Sequence, residues 1–125
     1  MIRVLVCDDA VAFSTLLGHW FVDAGDVEVV GVVSSGKAAI ALSGELLPDV
    51  IVLDHLLHDV ASDVLAPELR EAFPKAALLL ISGLPTDALE EAAHRCGADA
   101  FLSKASTADD FLAAVRTTAA GGRKL

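Results

Sequence analysis

Five polar residues of this chain each follow a short apolar run and could do chemistry together. Asp8 and Asp9 follow the run from Ile2 to Cys7, and Asp54 follows Val50 to Leu53. Ser82 follows Ala76 to Ile81, and Lys104 stands behind Ala98 to Leu102 and Ser103. If those runs are strands of one parallel sheet, all five residues meet at its carboxyl edge, where open α/β sheets bind their ligands. Three carboxylates gathered there repel one another. Two unit charges ~4 Å apart at an effective dielectric of ~20 interact by about 4 kcal/mol. A hard divalent cation with oxygen ligands, Mg2+ foremost, would relieve that repulsion. Lys104 adds a fixed positive charge and Ser82 a hydroxyl donor. The set suits a tetrahedral dianion held beside a carboxylate.

The elements that must position these residues follow from the hydrophobic periodicity. Apolar runs at 2–7, 27–33, 50–53, 76–81 and 98–102 read as strands, and the first, rich in β-branched residues, suits a strand buried on both faces. Between them lie helical patterns. Phe13, Leu16, Leu17, Trp20 and Phe21 form one stripe of a helix over 10–24 that ends at Gly25. Further helices are predicted over 36–46, stopping before Pro48, over 87–96 before Gly97, and over 107–120 before Gly121. Pro67 restricts the third helix to about 63–73, which leaves a long connection over 55–62. Strand and helix alternating five times specify an α/β domain: a five-stranded parallel sheet with helices on both faces.

Composition narrows the function. A chain of 125 residues holds one domain, placed at 1–120, and 121–125 reads as the start of a linker or tail. It is 54% hydrophobic and 22% charged, far from disorder. A net charge of -9 opposes direct binding to a phosphate backbone or an anionic membrane. No apolar run reaches the ~18 residues of a membrane span, and the run after Met1 is too short for a secretory signal. Cys7 and Cys96 have no metal spacing and read as buried thiols of a reducing compartment, the cytoplasm.

The motifs VLVCDD (4–9), PDVIVLD (48–54), LLLISG (78–83) and GADAFLSK (97–104) together resemble the receiver domain of bacterial two-component response regulators, the CheY-like family. The resemblance implies a flavodoxin-like strand order 2-1-3-4-5. It implies that Asp54 accepts a phosphoryl group from a histidine kinase, with Ser82 and Lys104 holding phosphoryl oxygens. Asp9, Asp54 and the backbone carbonyl of Leu56 would be Mg2+ ligands, with Asp8 acting through water. Ser82 and Phe101 would be switch residues: the serine shifts toward the phosphoryl group and the ring turns inward. The ending FLAAVR (111–116) and AAGGR (119–123) is similar to the NarL/FixJ type, whose receivers usually continue into a helix-turn-helix DNA-binding domain. That implies a receiver excised from a chain with a transcriptional output domain, a stand-alone receiver being the alternative. Pairing of two copies, through the first and fifth helices or the fourth-helix face, stays open.

The chain also departs from the family pattern. Leu57-His58-Asp59 stands where a Met-Pro-Gly-like turn is usual, and Ser62 where glycine is common, so a mobile or unusual loop is expected over 55–62. Leu56 and Leu84, two residues past Asp54 and Ser82, are apolar and should keep water from an acyl phosphate, making its hydrolysis slow. His55 and His58 lack a third defined ligand and read as solvated; His19 and His94 lie on helix faces. Trp20 reads as core or a subunit contact. Singly, Asp8-Asp9 would serve as a helix cap, Ser82 as a loop serine and Lys104 as a solvated charge. Three other functions compete. An aspartyl-nucleophile phosphatase of the haloacid dehalogenase kind wants a second acid where Leu56 stands. A dinucleotide enzyme wants a G-x-G-x-x-G after the first strand. A receiver-like interaction module that is never phosphorylated would draw on the odd loop.

Overall fold

The apolar runs fall in strands, and the central ones lack polar alternation because they are covered on both sides. In the computed structural model, which describes residues 1–121, the strands are β1 (Ile2–Cys7), β2 (Val27–Val33), β3 (Val50–Asp54), β4 (Ala77–Ser82) and β5 (Ala100–Ser103). They pair in parallel in the order β2-β1-β3-β4-β5. Every residue of β3 and β4 is buried. The helices are α1 (Val11–Ala24), α2 (Gly36–Ala41), α3 (Ser62–Ala72), α4 (Thr86–Cys96) and α5 (Ala108–Gly121).

Alternate residues of each strand feed two cores. Val4, Val6, Val50, Val52, Leu79 and Ile81 pack against Leu17 and Phe21 of α1 and Phe111 and Val115 of α5. Leu5, Cys7, Ile51, Leu53, Leu78 and Leu80 face Ala39, Leu65, Leu69 and Leu89 of α2, α3 and α4. Trp20 joins the first core, its ring 5.9 Å from that of Phe111. Both cysteines are buried and free. Gly25 and Gly97 end α1 and α4 at φ 81 and 70, the left-handed conformation that glycine adopts without a Cβ penalty.

Element bounds differ from expectation mainly at α2. That helix ends at Ala41 instead of Leu46, and residues 42–45 form turns held by Leu42 N–H to Ala39 O and Glu45 N–H to Leu42 O. Leu42 and Leu46 still reach the core, which explains the helical periodicity; Ser43 and Gly44 are weak helix formers. The third helix begins at Ser62, slightly earlier than predicted, and carries Pro67 in its interior at the loss of one backbone donor. Strand β5 starts at Ala100, not Ala98: the Asp99 N–H already bonds Leu78 O, and the Asp99 carboxylate accepts from Leu78 N–H at 2.7 Å. Gly121 closes α5; the rest of the expected linker, 122–125, lies outside the described residues.

Candidate functional site

Each of the five polar residues is carried to the carboxyl edge by its strand. Asp8 continues β1, its N–H bonded to Val33 O at 3.0 Å, and it is 2% exposed. Its Oδ1 accepts from Ala10 N–H at 2.8 Å, which fixes the turn into α1. Asp54 ends β3, and its Oδ1 accepts from Leu56 N–H at 3.2 Å. Ser82 ends β4, is fully buried, and its Oγ accepts from Leu84 N–H at 3.1 Å. Lys104 follows β5, with its N–H on Ser82 O.

The side chains converge. Lys104 Nζ lies 2.8 Å from Asp8 Oδ2 and 3.2 Å from Asp54 Oδ2, so one ammonium bridges two carboxylates. It also sits 4.9 Å from the centre of the Phe13 ring, a cation–π contact. Asp8, Asp9 and Asp54 each place one carboxylate oxygen within 4.8 Å of the others. Three hard oxygen donors at that spacing, partly desolvated and carrying more negative charge than Lys104 balances, fit a divalent cation. Burial pushes the Asp54 carboxyl above its ordinary pKa, and the Asp8 charge adds to this; the Leu56 N–H and Lys104 oppose it. Burial pulls Lys104 down, yet its bond to Asp8 and the charges of Asp54 and Asp8 outweigh that and leave it raised. The lysine is therefore a permanent cation here.

The connection from β3 to α3 is held at several points. Leu57 is buried in the core. Asp59 accepts from the N–H groups of Gly36 (3.0 Å) and Lys37 (3.2 Å) at the start of α2. His55 Nδ1 meets Ser62 Oγ at 2.6 Å, and His58 Nδ1 meets Asp9 Oδ2 at 3.1 Å. These anchors argue against a mobile loop over 55–62. His55 is half-buried and bonded, which corrects its solvated reading, whereas His58 is solvent-exposed as expected and also paired with Asp9. Sequence patterns named Asp59 and His58 but missed their contacts, because the partners lie 23 and 49 residues away. Phe13 was visible only as one member of an apolar stripe.

Phe101 stands in the middle of β5 with its side chain directed outward, 36% exposed, beside Glu90, Ala93 and His94 of α4. The Leu56 side chain is exposed and that of Leu84 half-buried.

Comparison with known proteins agrees with this geometry. The family profile described as "Response regulator receiver domain" matches residues 4–116. The chain is 32% identical over 120 residues to the response regulator protein VraR of Staphylococcus aureus, covering 96% of this chain and 57% of that protein. It thus spans a little over half the length of the curated relatives it matches. Among solved structures, the signal receiver domain of the putative response regulator NarL from Mycobacterium tuberculosis superposes with TM-score 0.86 at 34% identity, covering 96% of this chain and 97% of that one. A Burkholderia pseudomallei response regulator with a phosphorylated aspartic acid, calcium ion and citrate superposes with TM-score 0.78 at 26% identity, covering 97% and 70%. Among the described residues no helix is long and apolar enough to cross a membrane. The chain belongs to the response regulator receiver domain family of two-component signalling.

Proposed function

We propose that this chain is a phosphoacceptor switch whose acceptor is Asp54. A carboxylate oxygen of Asp54 attacks the phosphorus of a phosphohistidine on a partner histidine kinase. The P–O bond to Asp54 forms as the P–N bond breaks, and the imidazole leaves with its electron pair. Lys104, already within 3.2 Å of Asp54, pairs with one phosphoryl oxygen, and the Ser82 hydroxyl, after a shift toward the group, donates a hydrogen bond to another. Asp9, Asp54 and the Leu56 carbonyl would hold Mg2+, with Asp8 linked through water. When bound, that ion neutralises the charge on the transferring phosphoryl group.

The observation that carries this reading is the Lys104 ammonium bridging Asp8 and Asp54 beside a third carboxylate at one strand edge. The structure with a phosphorylated aspartic acid and calcium ion, at 26% identity, supports it by analogy. The chain would promote only its own phosphorylation and dephosphorylation. The phosphoryl group would favour the arrangement with Ser82 shifted and Phe101 turned inward, drawing on an equilibrium already present. Control of a helix-turn-helix transcriptional output, in the cytoplasm and with two copies pairing, completes the proposal; it rests on the similarity of 111–123 to the NarL/FixJ type. The alternative, a receiver-like interaction module that is never phosphorylated, would draw on the 55–62 loop, which is anchored at Leu57 and Asp59.

The test is chemical mapping of the acceptor. After reaction with acetyl phosphate and MgCl2, borohydride reduction should convert residue 54 alone to homoserine. Homoserine elsewhere, or nowhere in a labelled chain, would contradict the assignment.

A further inference from the structure

Lys104 is held from three sides, and only two of them are carboxylates. Its Nζ lies 2.8 Å from Asp8 Oδ2, 3.2 Å from Asp54 Oδ2, and over the face of the Phe13 ring at 4.9 Å from its centre. An ammonium carries three N–H donors and no acceptor. Two of them serve the carboxylates, and the ring closes part of the remaining side, which leaves the lysine side chain 21% exposed. The ring is itself fixed. Phe13 stands in the first turn of α1, half-buried, and meets the Phe111 ring of α5 edge-on, with centres 5.7 Å apart and planes at 63°. Phe111 is fully buried in the core that α1 and α5 share with the sheet. Lys104 enters from behind β5, so the wall against which it rests belongs to a different element.

That wall differs from the carboxylates in what it does to charge. A π face attracts a cation through its quadrupole and carries no net charge. It therefore orients the ammonium without neutralising it. In the proposed transfer, Asp54 loses its anionic charge as the P–O bond forms, and its hold on Lys104 weakens. Asp8 and the Phe13 face remain, and of these two only the ring leaves the full positive charge to the phosphoryl oxygen. We propose that Phe13 is a positioning residue for phosphoryl transfer: its ring face holds the Lys104 ammonium beside Asp54 and so helps to set the rate at which Asp54 is phosphorylated. The inference rests on the reading of Asp54 as the acceptor.

Graded fluorination of the ring tests it, because fluorine withdraws density from the π face while nearly preserving the shape of the ring. The wild-type chain is compared with chains carrying mono-, di- and trifluorinated phenylalanine at position 13, and with Phe13→Leu. Initial rates of intact-mass gain are measured at one acetyl phosphate concentration and saturating Mg2+, with circular dichroism confirming that each chain is folded. The rate should fall stepwise with each fluorine, to about 10-fold below wild type for the trifluorinated ring and for Phe13→Leu, a size that a partly desolvated cation–π contact supports. Proton NMR of the unphosphorylated chain reads the contact itself. The ring current should move the ε-methylene protons of Lys104 upfield of those of the other lysines, and Phe13→Leu should return them to the common position. Rates that stay flat across the fluorinated series would overturn the inference whatever Phe13→Leu does, because Phe13 would then act through packing alone. An ordinary Lys104 shift in the wild type would overturn it too, while leaving Asp54 as the acceptor. A folded wild type that gains no phosphoryl group would overturn the acceptor reading, and this inference with it.

Discussion

Lys104 is the residue on which the acidic site depends, because it neutralises two carboxylates that would otherwise face each other nearly dry. In the proposed switch, truncating it would leave the transferring phosphoryl group without its fixed cation, so Lys104→Ala should slow labelling by small phosphodonors by about 100-fold. Time courses of intact mass measure this. Asp54 shows the complementary effect. Its folded pKa is raised above the unfolded value, so the native state binds more protons through that interval and stability falls as pH rises through it. With divalent ions chelated, Asp54→Asn should therefore raise the thermal midpoint at neutral pH by a few degrees, and the gain should shrink as pH falls toward the unfolded carboxyl range. A midpoint lower than wild type at neutral pH would show that the Lys104 pair outweighs burial. In the proposed switch, Leu56 and Leu84 would act later in the cycle. Replacing both with polar residues should speed loss of the phosphoryl group, followed as the decay of the phosphorylated mass.

Among the elements, the β3–α3 connection carries the most information that sequence patterns could not supply. Strands buried on both faces announce themselves as apolar runs, so β1, β3 and β4 and the polar residues behind them were legible. The five residues at the carboxyl edge could be placed for the same reason. Asp59 capping α2 was not, because a side chain meeting N–H groups 23 residues away leaves no local pattern. The early end of α2 was hidden by Leu42 and Leu46, which are apolar at helical spacing although the backbone between them turns. One consequence is testable. A Cβ on Gly36 would stand 2.9 Å from Leu65 Cδ2 and 3.3 Å from Val60 Cγ2, and Leu65 is fully buried. Gly36→Ala should therefore cost about 1–3 kcal/mol in urea unfolding, as overpacking does. Wild-type stability in that variant would mean that Leu65 has room to move.

At the scale of the molecule, the sheet order brings the ends of β1, β3, β4 and β5 into one crevice and leaves β2 and β5 as edges. The chain is closed across α1 and α5 by Phe13, Trp20 and Phe111, and at the surface by Arg116. Its guanidinium makes two bonds to Asp26, at 2.8 and 2.9 Å, which hold the Asp26 carboxyl below the usual range. A carboxyl with a depressed folded pKa contributes stability above its unfolded pKa and loses it as pH falls through the folded one. The pair is solvent-exposed, so Arg116→Ala should lower the thermal midpoint only slightly at neutral pH, and the difference should vanish in about 1 M salt. The central claim, that this whole arrangement serves one phosphoryl group on Asp54, is tested most directly by intact mass. The chain and Asp54→Asn would each be incubated with a small phosphodonor, with and without Mg2+. One acid-labile phosphoryl group on the wild type, requiring both Mg2+ and Asp54, is the expected result. A folded wild-type chain that gains no phosphoryl group, or an Asp54→Asn chain that gains it equally well, would contradict the account.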